Sequence, residues 1–421
     1  MKILLLSYAC EPGKGSEAST GWHWVTGLAQ EHSVYVLTHP RGRESIERYL
    51  AAQPNPKLEF DFVKLPALLD PWQRDPGEKL IHFRYILWQF AMYAKARKLV
   101  KHTPFDLVHH VSWVTMTGPT FGWALGLPFI WGPVGSGQQA PLQMRRHLGA
   151  KGWVREALRN VQVRLIGLNP LANVAARKSR AAIATNLETY DALRKLRARS
   201  IHLIRDSAVD DHWVPESYPE RPAREKPVIT WLGRVESRKA PGLAIEAFAK
   251  ARAEHPCELW IIGQGSLLEP SKKLAEQLGV SNDVRFWGRV PHDEVPKMLL
   301  DSDIFLFTSL RDTFPTVVLE SMALGLPSVS LDHQGLRTLT DDAVIKVPVT
   351  DSETIVNDLA HALSQLVQAP AERRSRGYAA WENVQKEHLW RHRYESMRNV
   401  YDTALIQSPS PEEQFAYDRP S

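Results

Sequence analysis

Short, continuous apolar runs separated by stretches of helical periodicity mark the first half of the chain. They are residues 2–9 (KILLLSYA), 33–38 (SVYVLT), 58–65 (LEFDFVKL), 105–111 (FDLVHHV), 128–132 (PFIWG), 181–185 (AAIAT) and 201–205 (IHLIR). A half-solvated strand alternates polar with apolar residues; runs this unbroken belong to strands covered by helices on both faces of a parallel sheet. The first half is therefore expected to be a doubly wound α/β domain. Residues 215–227 (PESYPERPAREKP) interrupt the rhythm with four prolines and six charges, the composition of an exposed linker. The rhythm restarts with 228–233 (VITWLG), a helix over 240–254, then 258–263 (ELWIIG), 284–288 (VRFWG), 303–309 (DIFLFTS) and 327–331 (PSVSL). That is a second domain of the same class. Residues 370–405, with Trp381, Trp390 and Tyr394 among many charges, read as terminal helices. The expected boundaries are 1–212 for the first domain, 213–385 for the second, 386–407 for a terminal helix and 408–421 for a disordered tail.

Length agrees with this division, because 421 residues exceed what one ordinary hydrophobic core serves, and 43% hydrophobic with 24% charged residues is the make-up of a folded chain. The apolar opening Met1–Ala9 ends at Cys10, which brings a lipoprotein signal to mind, but a buried first strand fits it better than a secretory segment with its charged head. Phe121–Val134, the best candidate for a membrane span, is broken by glycines and prolines, so no crossing is expected. Cys10 and Cys257 are the only cysteines and have no metal-ligand spacing, which points away from a disulfide framework and towards a reducing compartment. The expected location is the cytoplasm, with peripheral contact at the inner membrane face as an open alternative.

Charge divides unevenly. Residues 1–210 carry 28 Lys+Arg against 16 Asp+Glu (+12), and residues 211–421 carry 24 against 31 (−7). The densest basic segment is 145–164 (RRHLGAKGWVREALRNVQVR), with Trp153, Val154 and Leu158 interleaved. A solvated helix face and a surface docking on anionic lipid both fit it. Nucleic acid is not expected as a partner, because no recognition motif accompanies the charge.

In parallel α/β domains ligands collect where loops leave the carboxyl ends of strands. Three such loops carry candidate chemistry. Gly233-Arg234-Val235-Glu236-Ser237-Arg238-Lys239 follows the strand VITWL and opens a helix; the glycine permits a sharp turn, Arg234 can fork onto phosphate oxygens, and Lys239 adds a point charge where a helix start already favours anions. An exposed basic turn is its plain alternative. In the second loop, after DIFLFTS, Asp312 precedes a helix beginning near Pro315 that carries Glu320 in its first two turns and ends in Gly325-Leu-Pro327. Carboxylates at these places can hold sugar hydroxyls; an N-cap and a surface acid are the alternatives. The third is Gly13-Lys14-Gly15-Ser16-Glu17, where Ala18 stands in place of the third glycine of a dinucleotide fingerprint, leaving a phosphate turn or an ordinary loop.

Together these loops resemble glycosyltransferase family 4, the retaining GT-B enzymes of glycosyl transferases group 1. That family carries a glycine-arginine turn with a lysine five residues after the arginine, matched by Gly233, Arg234 and Lys239. Its second signature, E-x7-E followed by a small-residue helix and G-x-P, is matched by Asp312, Glu320 and Gly325-Leu-Pro327, with aspartate for the first glutamate. The resemblance implies two Rossmann-like domains facing across a cleft, with the C-terminal helices returning to the first. It implies a nucleotide-sugar donor, UDP- or GDP-linked, and no cofactor or metal. Arg234 and Lys239 would bind the diphosphate, Glu320 the ribose and Asp312 the transferred sugar. The backbone around Phe314, Thr316 and Val317 would lie against sugar and phosphates, Gly288-Arg289-Val290 would meet the base, and Gly13 and Gly15 would face the phosphates. The family's H-x-H after the fourth strand is incomplete: His109 is carried over by position, His110 is an adjacent candidate, and Val111 replaces the second histidine. A structural role fits either histidine equally.

No side chain stands out as a nucleophile, so front-face attack, with the departing phosphate taking the acceptor's proton, is the expected chemistry. Positive groups would stabilise the leaving diphosphate. The acceptor, a saccharide, lipid-linked or small molecule, is expected mainly on the first domain. That domain carries Trp22, Trp24, Trp72, Trp88, Trp113, Trp123, Trp131 and Trp153, and the loop Trp131–Gln138, which reads as an acceptor loop or a structural turn. Most of these tryptophans are expected in packing. Cell-surface polysaccharide synthesis is the expected role. A Rossmann oxidoreductase is the rival from another class, but Gly263-Gln-Gly265-Ser-Leu-Leu268 lacks its third glycine. An epimerase or phosphorylase of the same fold, and a catalytically silent sugar-nucleotide binder, remain as alternatives.

Overall fold

The computed structural model describes residues 1–15, 17–66, 81–118, 120–222 and 224–406. Its first domain runs β1 (Lys2–Ser7), α1 (Glu17–Leu28), β2 (Ser33–Thr38), α2 (Arg43–Ala52), β3 (Leu58–Phe62), α3 (Ile81–His102), β4 (Leu107–Ser112), β5 (Phe129–Val134), α4 (Arg145–Arg164), α5 (Pro170–Lys178), β6 (Ala181–Ala184), α6 (Leu187–Lys195) and β7 (Ile201–Leu203). The second runs β8 (Val228–Leu232), α7 (Pro241–Glu254), β9 (Glu258–Ile262), α8 (Leu268–Gln277), β10 (Val284–Gly288), α9 (Val295–Leu300), β11 (Ile304–Phe307), α10 (Thr316–Ala323), β12 (Ser328–Leu331), β13 (Val344–Val347), α11 (Ser352–Gln368) and α12 (Pro370–Glu387), and α13 (Trp390–Ile406) is the last described element. The expected tail over 408–421 lies outside the described residues.

Each domain is a doubly wound parallel sheet. The seven strands of the first are ordered β3-β2-β1-β4-β5-β6-β7 and the six of the second β10-β9-β8-β11-β12-β13. Strands β4, β5 and β6 are buried at every position, which is why their sequences carry no alternation. Chain direction across each sheet reverses beside β1/β4 and β8/β11, and the crevice at such a switch point is where ligands bind in open α/β sheets. The loops that follow β5, β6 and β11 meet across the domain boundary: the Gln138 amide donates to Thr313 Oγ1 at 2.9 Å and the Asn186 amide to the Thr313 carbonyl at 3.1 Å.

α13 returns to the first domain. Trp390, Met397, Val400, Tyr401 and Ala404 join Ile3, Leu5 and Trp24 in one core cluster. Gly27 of α1 leaves room for the Tyr394 ring, which a Cβ there would overlap. Val209, at the start of the crossing between domains, pairs with Leu389 at its end, so the two passages of the chain lie side by side.

α4, the expected basic segment, bends at Gly149 (φ 66°), a conformation that glycine adopts without strain. Before the bend it is an interdomain element: Leu148, with Met144 just ahead of the helix, packs into the second domain's core, and His147 Nε2 lies 3.3 Å from Glu246. Among the described residues no helix is long and apolar enough to cross a membrane. Cys10 and Cys257 are both buried and unpaired with one another.

Candidate active site

β8 and β11 are neighbours in the second sheet, so the loops that leave their carboxyl ends share one wall of the crevice. On that wall the Lys239 ammonium pairs with Asp312 Oδ2, and Arg238 stands 3.7 Å from the same oxygen. Burial alone would raise the Asp312 carboxyl, but the Lys239 and Arg238 cations overcome it and hold the group below the usual carboxylate range. Burial lowers Lys239, and Asp312 opposes that shift. The Lys239 ammonium also lies 5.0 Å from the centre of the Phe307 ring. Its backbone enters a short turn, Ser237–Lys239, that leads through Ala240 (φ 47°) into α7. Arg234, by contrast, is largely exposed, with Nε 3.6 Å from Glu236.

α10 begins at Thr316 with Pro315 as its cap, as the sequence predicts, and Glu320 sits inside it with 9% of its surface exposed. The exposed side chain of His292 approaches Glu320 Oε1 at 3.6 Å, and the nearby carboxylate raises the imidazole. Thr316 and Val317 open the helix, where backbone N–H groups point outward and favour anions. Phe314 is buried, and the Arg205 guanidinium lies 4.9 Å over its ring. Its side chain therefore supports the loop and leaves the backbone as the part able to face a ligand. Gly288 (φ 67°) ends β10, followed by exposed Arg289 and half-buried Val290. Gly13 (φ 70°) turns the loop after β1, and nothing lies within 4 Å of a Cβ built on Gly13 or Gly15.

One expectation needs correction. His109 and His110 do not face the crevice. Both lie inside β4 with 0% exposure, and their ring nitrogens are taken: His109 by Tyr401 Oη at 2.5 Å and the Gly132 carbonyl at 2.6 Å, His110 by Thr120 Oγ1 at 2.9 Å and Tyr85 Oη at 3.5 Å. Burial pushes them down to about 3 and about 4. They are neutral core histidines and are withdrawn as catalytic candidates. The loop after Trp131, open as an acceptor loop or a structural turn, is in large part a brace. Gly137 packs on the Thr189 backbone, Gln138 reaches Thr313, and the Gln139 carbonyl accepts from Gln334 at 2.9 Å.

Sequence reading missed Gln334 and Arg311. The Gln334 side chain accepts from the Asp312 backbone N–H at 2.7 Å, linking Asp312 to Gln139 of the other domain. Arg311 makes a two-point ion pair at 2.6 and 3.2 Å with Glu156 of α4, which has 0% exposure. Gln334 stands just after β12, in a strand-end loop that could have been searched; Glu156 left no mark in an otherwise basic helix. Asp206, after β7, was also missed. Its carboxyl is pushed up to about 7, first by burial and then by Glu17. Asp206 Oδ1 makes no hydrogen bond among the described residues.

Of the first domain's tryptophans, Trp24, Trp88 and Trp131 are core, Trp22 is nearly so, and Trp153 packs against the second domain's core. Trp72 lies outside the described residues. Between the brace and the loop after β12 lies a pocket of about 420 Å³ bordered by Gln139, Arg164, Glu188, His333, Gln334 and Arg337. Gly263 and Gly265, the rival fingerprint, pack directly on the backbone of Gly233 and Val235, so close strand-end packing accounts for both.

Residues 216–382 match the family model described as glycosyl transferases group 1, which bears out the resemblance at the level of that group. A lipopolysaccharide core biosynthesis glycosyltransferase of Rhizobium meliloti is 33% identical over 145 residues, 34% of this chain and 40% of that one. A D-inositol 3-phosphate glycosyltransferase of Corynebacterium jeikeium is 28% identical over 51% of this chain and 54% of its own. The chain thus spans about half or less of the length of these two relatives. Among solved structures, a sucrose-phosphate synthase from Thermosynechococcus elongatus is similar with a TM-score of 0.66 and 18% identity, covering 97% of this chain and 100% of that one. Anabaena HepE, in complex with UDP and glucose, is similar with a TM-score of 0.60 and 15% identity over 96% and 99%. At these identities the structural likeness establishes the GT-B fold.

Proposed function

We propose that this chain, whose residues 216–382 carry the sequence pattern of glycosyl transferases group 1, is a retaining glycosyltransferase of family 4. It moves a sugar from a UDP- or GDP-linked donor to a saccharide or lipid-linked acceptor in the cytoplasm, in the synthesis of surface polysaccharide. The observation that carries the reading is the Lys239–Asp312 pair at the ends of β8 and β11, with Glu320 on the helix that follows. A diphosphate entering the crevice competes with Asp312 for the Lys239 ammonium. Once Lys239 turns to phosphate, the Asp312 carboxylate is released to accept hydrogen bonds from sugar hydroxyls, while Glu320 accepts from the ribose.

In the step itself, the bond between the anomeric carbon and the diphosphate oxygen breaks, the acceptor oxygen bonds to that carbon on the same face, and the acceptor's proton passes to the departing phosphate. Lys239, Arg234 and the start of α10 stabilise the charge that accumulates there, and they do so without requiring a bound cation. The interdomain pocket beside Gln139 and Arg337 is the acceptor's candidate place.

A thermal-shift panel of UDP, GDP, ADP and their sugar conjugates, run with and without EDTA, tests the donor, because a ligand of the native state raises apparent stability. An EDTA-independent shift with UDP or GDP and their sugars supports the reading, and NMR of the product's anomeric configuration then tests retention. A shift with NAD(P) alone would overturn it.

A further inference from the structure

Beyond its bend, α4 is amphipathic the wrong way round for a helix that only packs against protein. Glu156 and Asn160, both polar, are buried at 0% and 3%, while Val154, Leu158, Val161 and the adjoining Leu165 are exposed at 52, 68, 51 and 53%. At 3.6 residues per turn the four exposed residues fall within an arc of about 60°. The row continues past the helix end through Leu168 (77% exposed) to Leu171 (41%) at the start of α5. Phe83 and Phe90 of α3 are also exposed, at 56% each, and α3 and α5 cover the same face of the first sheet, since Trp88, Met92, Ala172 and Ala176 share one core cluster.

Cations rim the row. Lys151 and Arg155 flank it on one side and Arg164 on the other, all exposed. Residues 145–178 hold a single acid, Glu156, and Arg311 neutralises it inside the protein. The surface of this segment is therefore apolar and positive. A second copy of the chain would bring like charge to it, whereas an anionic lipid surface supplies both the complementary headgroups and an acyl boundary for the leucines.

We propose that the outer face of α4, with Leu168 and Leu171, docks the protein on anionic bilayers, whichever nucleotide the crevice takes. The buried face of the same helix holds Arg311, next to Asp312, so the docking element is tied by an ion pair to the loop that carries the donor wall.

Flotation with vesicles of phosphatidylcholine alone and with added phosphatidylglycerol tests this. The full chain is expected to float with the anionic vesicles only, and less so as salt is raised. Leu158→Gln with Leu165→Gln, and separately Lys151→Glu, should each weaken binding about tenfold or more, with melting temperature and nucleotide affinity unchanged. No flotation of the parent protein, or equal flotation of both variants, overturns the proposal. A concentration-dependent dimer that the leucine variant dissociates, without vesicle binding, overturns it in favour of self-association.

Discussion

Glu156 of α4 and Arg311 of the loop after β11 meet across the domain boundary in a two-point ion pair, and the carboxylate has no exposed surface. Removing one partner leaves the other charge buried and unpaired, which costs about 3–5 kcal/mol. Arg311→Ala should lower the melting temperature strongly. Glu156→Gln with Arg311→Met should lose less than the sum of the single changes, because the two groups form one unit. Additive losses in a denaturation cycle would show that the pair contributes nothing as a pair.

Lys239→Ala and Glu320→Gln should each reduce nucleotide-sugar affinity or turnover about tenfold or more while melting stays within a few degrees, since a lost charge-assisted hydrogen bond is worth about 1.5–3 kcal/mol. Asp312→Asn should act mainly on turnover and on discrimination between donor sugars. Parent-like donor use by either of the first two variants removes them from the site.

Acid should destabilise the fold early. His109, His110 and His333 are held by burial at about 3, 4 and 4, against 6.5 for a free imidazole. The unfolded chain therefore binds protons near pH 6.5 that the folded chain refuses, and stability complete above that pH is lost as pH falls towards 4, by about 1 kcal/mol per histidine per unit. Asp206 works in the opposite sense: its carboxyl is raised from 3.8 to about 7, so it opposes folding increasingly as pH rises from about 4 to 7. Asp206→Asn should raise the melting temperature at pH 8, by less at pH 5, and not at all below about pH 4. A melting temperature that does not fall between pH 7 and 5 contradicts the histidine assignment.

Gly27→Ala should dislodge α13, because the new methyl group would occupy the place of the Tyr394 ring. Overpacking of this kind costs about 1–3 kcal/mol, and proteolysis within 390–406 should become faster. An unchanged cleavage rate would mean that the helix accommodates the methyl group.

All seven strands of the first sheet could be read from apolar runs; β4, β5 and β6, buried at every position, write that burial directly into composition, while the edge strands β3 and β7 are only partly buried. β13 could not be read this way: Val344-Ile345-Lys346-Val347 is an edge strand of four residues with a lysine in it, too short and too polar to stand out. The Lys239, Asp312 and Glu320 positions were legible because strand-end loops are local in sequence and their residue types are chemical. His109 misled because a buried, satisfied imidazole and a catalytic one are the same letter; its partners Gly132 and Tyr401, the latter 292 residues away, distinguish them. Glu156–Arg311 and Gln334–Gln139 were invisible for the same reason, since pairing between domains imposes no period on either partner.

The return of α13 to the first domain sets an order of assembly. A chain made from its amino end completes all the strands of the first sheet by residue 203, yet Trp390, Met397 and Tyr401, which join that domain's core, are synthesised only after every strand of both sheets. The second domain, whose strands run from 228 to 347, is contiguous and can close first. The first domain to be translated is thus the last to be finished, and until then the nascent protein exposes the apolar seat of its own carboxyl-terminal helix.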